Sequence, residues 1–201
     1  MSRGLGDVYK RQALNGQSMA EQIGAEIFID TWAMVNPGNP ERACEMARKA
    51  ASVSHDGVAV DAAVYLAAME AMAFEEKDID KLLDKGLAYI DNEEFKSLLA
   101  ELREKCAKAS DWYEVRQWIA DEHGYDKYPG NCPMITNHLT LLMAFIMGGD
   151  DFQKACMIAC SAGWDTDCNS GNVGCLNGIR LGLDGFTKGA DLRLSLIHIS
   201  E

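Results

Sequence analysis

The chain has 201 residues, 48% of them hydrophobic, with a formal net charge of -12, which excludes a disordered segment and allows one domain with a sizeable core. So acidic a chain, with no run of Lys and Arg to form a basic patch, argues against nucleic acid and membrane as partners and for protein-directed or small-molecule work. Seven cysteines without a C-x-x-C pair speak against a disulfide framework or a zinc finger, and the lack of a signal peptide or a bilayer-long apolar run points to a cytoplasmic protein.

Residues 1–12 show no hydrophobic period, and residues 194–201 stop abruptly. Both strings resemble translated sequencing-adapter sequence of the kind that flanks fragmentary reading frames. The domain is therefore expected within residues 13–193, cut at both ends. Helical periodicity dominates that segment. Ile23, Ile27, Trp32 and Met34 form an apolar stripe that predicts one helix from about Ser18 to Val35. Asn36-Pro37-Gly38-Asn39-Pro40 ends it, and Asn39 with Pro40 starts the next helix as N-cap and first residue. After a break at Ser54-His55-Asp56-Gly57, residues Val60 to Phe74 are apolar nearly all round and predict a buried central helix.

Asp78 to Ile90, Glu93 to Ala109 and Asp111 to His123 read as peripheral amphipathic helices. A Tyr-, Pro- and Gly-rich loop follows over Gly124 to Pro133. Asn137 to Met147 is an almost wholly apolar helix, Gly148-Gly149-Asp150-Asp151 is a turn that caps the next helix, and Phe152 to Ala162 is that helix. A Gly-rich helix is expected from about Asn169 to Leu181. No alternating strand pattern occurs, so the fold class is all-α.

Between the last two helices lies Gly163-Trp164-Asp165-Thr166-Asp167-Cys168-Asn169. Hard divalent cations take several oxygen ligands, and two carboxylates one residue apart converge on one ion only in a turn, because i and i+2 diverge on a helix. The alternative is plain helix capping. Other features also have two readings. Gly171, Gly174, Gly178 and Gly182 leave one helix face bare, for close packing or for a substrate. His55 is a structural histidine or a group that moves a proton or binds a ligand. His138 reads as structural. Tyr125, Tyr128 and Asn131 either stack on a nucleoside or pack on their own domain. Cys156 and Cys160 read as small core residues.

Glu21-Gln22-Ile23-Gly24-Ala25, Asn36 to Pro40, Ala51 to Gly57 and Gly163 to Asn169 occur in an order that resembles proteins of the ADP-ribosylglycohydrolase family. The resemblance implies a compact orthogonal multi-helix domain, here truncated. It also implies a hydrolase that cleaves the glycosidic bond of ADP-ribose to a protein side chain or small acceptor at a dinuclear Mg2+ (or Mn2+) site. Matching the Asp-x-Asp-Thr-type motif makes Asp165 and Asp167 metal ligands, with Cys168 as a third, a soft thiol where many members carry Thr. His55, Gly57, Thr166 and Asn169 would bind the substrate, an ADP-ribosylated protein or small ADP-ribosyl compound. No Thr-Asp-Asp motif, the family's other ligand source, occurs in the chain. The resemblance thus assigns no catalytic residue here and implies an inactive fragment whose catalytic acid belongs to a missing N-terminal part. The alternative is a non-catalytic helical binding or structural member of the same fold.

Overall fold

The computed structural model describes residues 17–189; the end segments 1–12 and 194–201 set apart above lie outside the described residues. The helices are α1 (Gln17–Ala20), α2 (Gly24–Ile27), α3 (Asp30–Met34), α4 (Pro40–Ala51), α5 (Val58–Met72), α6 (Ile79–Gly86), α7 (Glu93–Lys108), α8 (Trp112–His123), α9 (Met134–Gly148), α10 (Phe152–Ser161) and α11 (Thr166–Thr187). Short 3-10 turns lie at Leu87–Tyr89 and Tyr125–Lys127. The expected all-α class holds: among the described residues the β pairing is limited to one isolated antiparallel bridge, Gln22 with Pro133. No helix among them is long and apolar enough to cross a membrane.

Helices α5 and α9 form the interior. Every residue from Ala62 to Ala71 of α5 and from Thr136 to Phe145 of α9 is buried. Alanines let α4 approach α5 closely: Ala43, Ala47 and Ala51 recur at i+4 and are fully buried, and the Cys44 thiol reaches the Val64 carbonyl at 3.6 Å. The starts of the outer helices are set by side chains that accept from backbone N–H groups of the first turn, namely Asn39, Asp78, Asn92, Asp111 and Asp151. Each such cap contributes on the order of 1 kcal/mol.

The helix expected from Ser18 to Val35 is instead three short pieces, α1 to α3. The cause is long-range pairing. Ile23 N donates to Cys132 O at 3.0 Å, Met134 N donates to Glu21 O at 2.9 Å, and Gln22 Oε1 accepts from Cys132 N at 2.7 Å. Backbone groups tied to the 129–134 loop are withdrawn from a helical ladder. The inner face is accordingly carried by Ile23, Ala25, Ile29 and Ala33, while Met34 is exposed. Cys160, expected in the core, is also exposed, near the end of α10.

The glycine face of α11 divides in two. A methyl group on Gly171 would come within 3.2 Å of Ile27 Cδ1, which is tight packing. At Gly174 and Gly178 it would meet nothing within 4 Å, so the packing reading does not hold there among the described residues. Gly178→Ala is therefore expected to stabilise the domain by about 0.5–1 kcal/mol through the restricted unfolded chain. Urea denaturation checks this, and a lowered midpoint would show that this face is occupied. Gly182, at φ +61°, kinks α11 near its end.

Candidate metal centre

The acidic loop is held by strained backbone and buried side chains. Gly163 has φ +94°, and Trp164 has φ +61°, a conformation that is uncommon for a residue with a side chain. Arg116 braces this turn. Its Nε donates to Ala162 O at 2.9 Å, and its guanidinium lies 4.5 Å from the centre of the Trp164 ring. Tyr125 stacks against the same Trp164 ring, their centres 6.3 Å apart.

Asn137, fully buried on α9, fixes the loop from beneath. Its Oδ1 accepts from Asp165 N and from Asn169 Nδ2, both at 3.1 Å. Its Nδ2 donates to Tyr125 OH and to Pro133 O, both at 2.9 Å. One amide thus joins α9, the 125–133 loop and the start of α11. Next to it on α9, His138 is fully buried with Nδ1 2.7 Å from Glu26 Oε1, between Tyr65 and Phe95, as a structural histidine would be.

Helix α11 begins at Thr166, three residues before the expected start, so Asp165 is its N-cap. The cap residue is not helical (φ -90°, ψ 73°), and its carboxylate makes no capping hydrogen bond. That frees it to turn toward Asp167 in the first turn. The ligand atoms of Asp165, Asp167 and Cys168 lie within 4.8 Å of one another. The divergence of i and i+2 on a regular helix is thereby avoided. Burial, followed by the neighbouring Asp167, raises the pKa of Asp165. Asp167 is exposed, and its carboxyl is held low by the hydrogen bond with Asp165 and by the N–H groups of its own residue and of Cys168. Burial and then Asp165 push the Cys168 thiol up to about 12, so it is a neutral thiol at pH 7.

The other sequence-derived residues fall into two groups. Thr166 and Asn169 share the start of α11; Thr166 is half-buried, and Asn169 is fully buried against Asn137 with its Oδ1 unpartnered among the described residues. His55 and Gly57 lie at the junction of α4 and α5. His55 Nδ1 is 2.7 Å from Ser54 Oγ, and burial lowers its pKa, so the ring is neutral at pH 7. Gly24 makes room for that ring: a side-chain carbon there would come within 2.9 Å of His55 Nε2. Gly57, at φ +58°, admits Glu21, whose Oε1 accepts from Val58 N at 3.3 Å. An anion at the start of α5 would meet that carboxylate first.

The two groups flank the Gln22–Pro133 bridge. On one side Glu21 touches the start of α5; on the other Cys132 neighbours Asp165, and burial followed by that carboxyl raises its thiol pKa. Gly57 and Glu21 also line a groove of about 840 Å³ with Val58, Phe95, His123 and Tyr128, which includes none of Asp165, Thr166, Asp167 and Asn169. Tyr128 OH is 2.7 Å from His123 Nδ1, so of the loop aromatics Tyr125 faces the acidic loop and Tyr128 this groove. Sequence reading missed Arg116, Cys132 and the anchoring role of Asn137. Only Asn137 carried a signal, as an amide inside an otherwise apolar helix.

The family model described as ADP-ribosylglycohydrolase matches residues 3–192. Comparison with curated proteins and with solved structures gives no match.

Proposed function

Because the chain belongs to the ADP-ribosylglycohydrolase family, we propose that its acidic loop holds Mg2+ or Mn2+ and that it serves, in the cytoplasm, to cleave the glycosidic bond joining ADP-ribose to a protein side chain or small acceptor. The observation that carries this reading is Asp165. It stands at the start of a 22-residue helix without capping it, and its carboxylate gathers with Asp167 instead. A hard dication suits two carboxylates, and the lowered pKa of Asp167 supplies a charged ligand at pH 7. Cys168 does not fit a hard ion, because a protonated thiol is a poor ligand for one. When bound, the ion polarises the sugar hydroxyls or the leaving group and orients water.

The remaining residues bind and orient. His55, a neutral imidazole whose Nδ1 is taken by Ser54 Oγ, offers its Nε2 to the ADP-ribose. At Gly57 the Glu21 carboxylate occupies the space beside the backbone, so ADP-ribose reaches it by displacing that side chain; Thr166 offers a hydroxyl beside the ion, and Asn169 acts through Asn137 to keep the loop in place. No Thr-Asp-Asp element occurs in the 201 residues, so cation binding is expected to be weak and turnover low. The same fact favours the second reading, a non-catalytic binding or structural member. Melting temperature with Mg2+ and ADP-ribose together separates the two. A rise that needs Mg2+ and disappears in Asp165→Ala supports the hydrolase-type site. A rise with ADP-ribose alone supports the binding module, and no rise under either condition contradicts the hydrolase-type site and the binding module and favours a structural member.

A further inference from the structure

A second set of ligating atoms lies in the interior, about two turns (~10 Å) along α11 from Cys168. Asp30 on α3, Glu70 on α5 and Cys175 on α11 each bring a ligand atom within 4.8 Å of the others. Glu70 is fully buried, and among the described residues no donor group is placed to hydrogen-bond either of its oxygens. The Asp30 carboxyl and the Cys175 thiol are its close neighbours. Asp30 Oδ1 accepts from Asn172 Nδ2 at 2.6 Å, and the buried Oδ1 of Asn172 is left without a partner among the described residues.

The patch is rich in acceptors and poor in donors. A proton on Glu70 and the thiol hydrogen of Cys175 satisfy part of it and leave the Asn172 oxygen unmet. Burial, then the charge of Asp30, raises the Glu70 carboxyl well above the usual carboxylate range, and burial followed by Glu70 raises the Cys175 thiol. No Lys or Arg supplies a counter-charge through a hydrogen bond or ion pair to Asp30 or Glu70 among the described residues. Buried carboxyls without such a partner are costly in the charged form.

We propose that Asp30, Glu70 and Cys175 bind one borderline divalent cation of the Zn2+ or Co2+ class, which fastens α3, α5 and α11 to one another. Two carboxylates with a thiolate select such an ion over Mg2+ or Ca2+, whose ligands are oxygen alone. Binding displaces the thiol proton of Cys175 and the proton held by Glu70 and releases them to solvent. The site shares no ligand with the acidic loop, so the proposal stands apart from the hydrolase reading.

Co2+ titration of the full chain, stripped of metal by chelator, tests it through the thiolate-to-cobalt charge-transfer band. The expected result is a band that saturates at one equivalent, accompanied by proton release and a raised melting temperature, and bleached by Zn2+. Cys175→Ser and Glu70→Gln are expected to lose the band, whereas Cys168→Ser and Asp165→Asn keep it. Far-UV circular dichroism of Cys175→Ser confirms that the loss is not unfolding, the change being nearly isosteric. Absence of a band in the wild type, its survival in Cys175→Ser, or its loss in Cys168→Ser overturns the proposal.

Discussion

Arg180→Met is expected to lower the stability of the domain by about 2–4 kcal/mol, from acceptors left without their donor at about 1–3 kcal/mol each. The Arg180 side chain is fully buried on α11. Its guanidinium donates to the Asp150 carboxylate at 2.5 Å, to Gly149 O at 2.5 Å, to Lys77 O at 2.8 Å and to Asn177 Oδ1 at 3.1 Å. One side chain therefore ties α11 to the turn before α10 and to the segment after α5. Methionine fills much of the space but leaves the carbonyls of Lys77 and Gly149 without their donor. Asp150 is largely exposed, so Asp150→Asn is expected to cost far less. Urea denaturation of both variants checks the pair of values, and equal losses would place the effect in the ion pair rather than in the carbonyls.

Asn137→Ala is expected to be the most damaging change near the acidic loop, at about 2–4 kcal/mol from the unmade hydrogen bonds and the cavity together. It removes the acceptor for Asp165 N and Asn169 Nδ2 and the donor to Tyr125 OH and Pro133 O. The carboxylates remain in the chain, but nothing beneath then holds the N-cap geometry. Mn2+ affinity is accordingly expected to fall even where the variant is still folded by circular dichroism. Wild-type stability and wild-type Mn2+ affinity in Asn137→Ala would remove Asn137 from the account.

The fold was legible where local chemistry decides it. Asn39-Pro40, Asp111 and Asp151 act as the predicted helix starts, and the apolar runs around Leu66 and Leu141 form the interior. It was illegible where distant residues decide it. Nothing local in the Ser18–Val35 stripe announces that Glu21 to Ile23 pair with Cys132 to Met134, more than a hundred residues away. The same limit applies to the loop. Asp165 and Asp167 were visible as a pattern, whereas Arg116, Tyr125, Cys132 and Asn137 converge on them from α8, α9 and the connection between them. Glu70 passed unremarked in the sequence: a carboxyl inside an otherwise apolar Ala-rich helix has to be neutralised or paired, and which of these happens is set by Asp30 and Cys175 on other helices.

The helix-start carboxylate that caps nothing is the feature from which the functional reading grows, and its ion occupancy can be measured directly. Mn2+ titration of the intact chain followed by electron paramagnetic resonance counts bound against free ion. Weak binding that vanishes in both Asp165→Ala and Asp167→Ala, and persists in Cys168→Ser, is the predicted result. Mn2+ bound as strongly by Asp165→Ala as by the wild type, or not bound by the wild type at all, would contradict it.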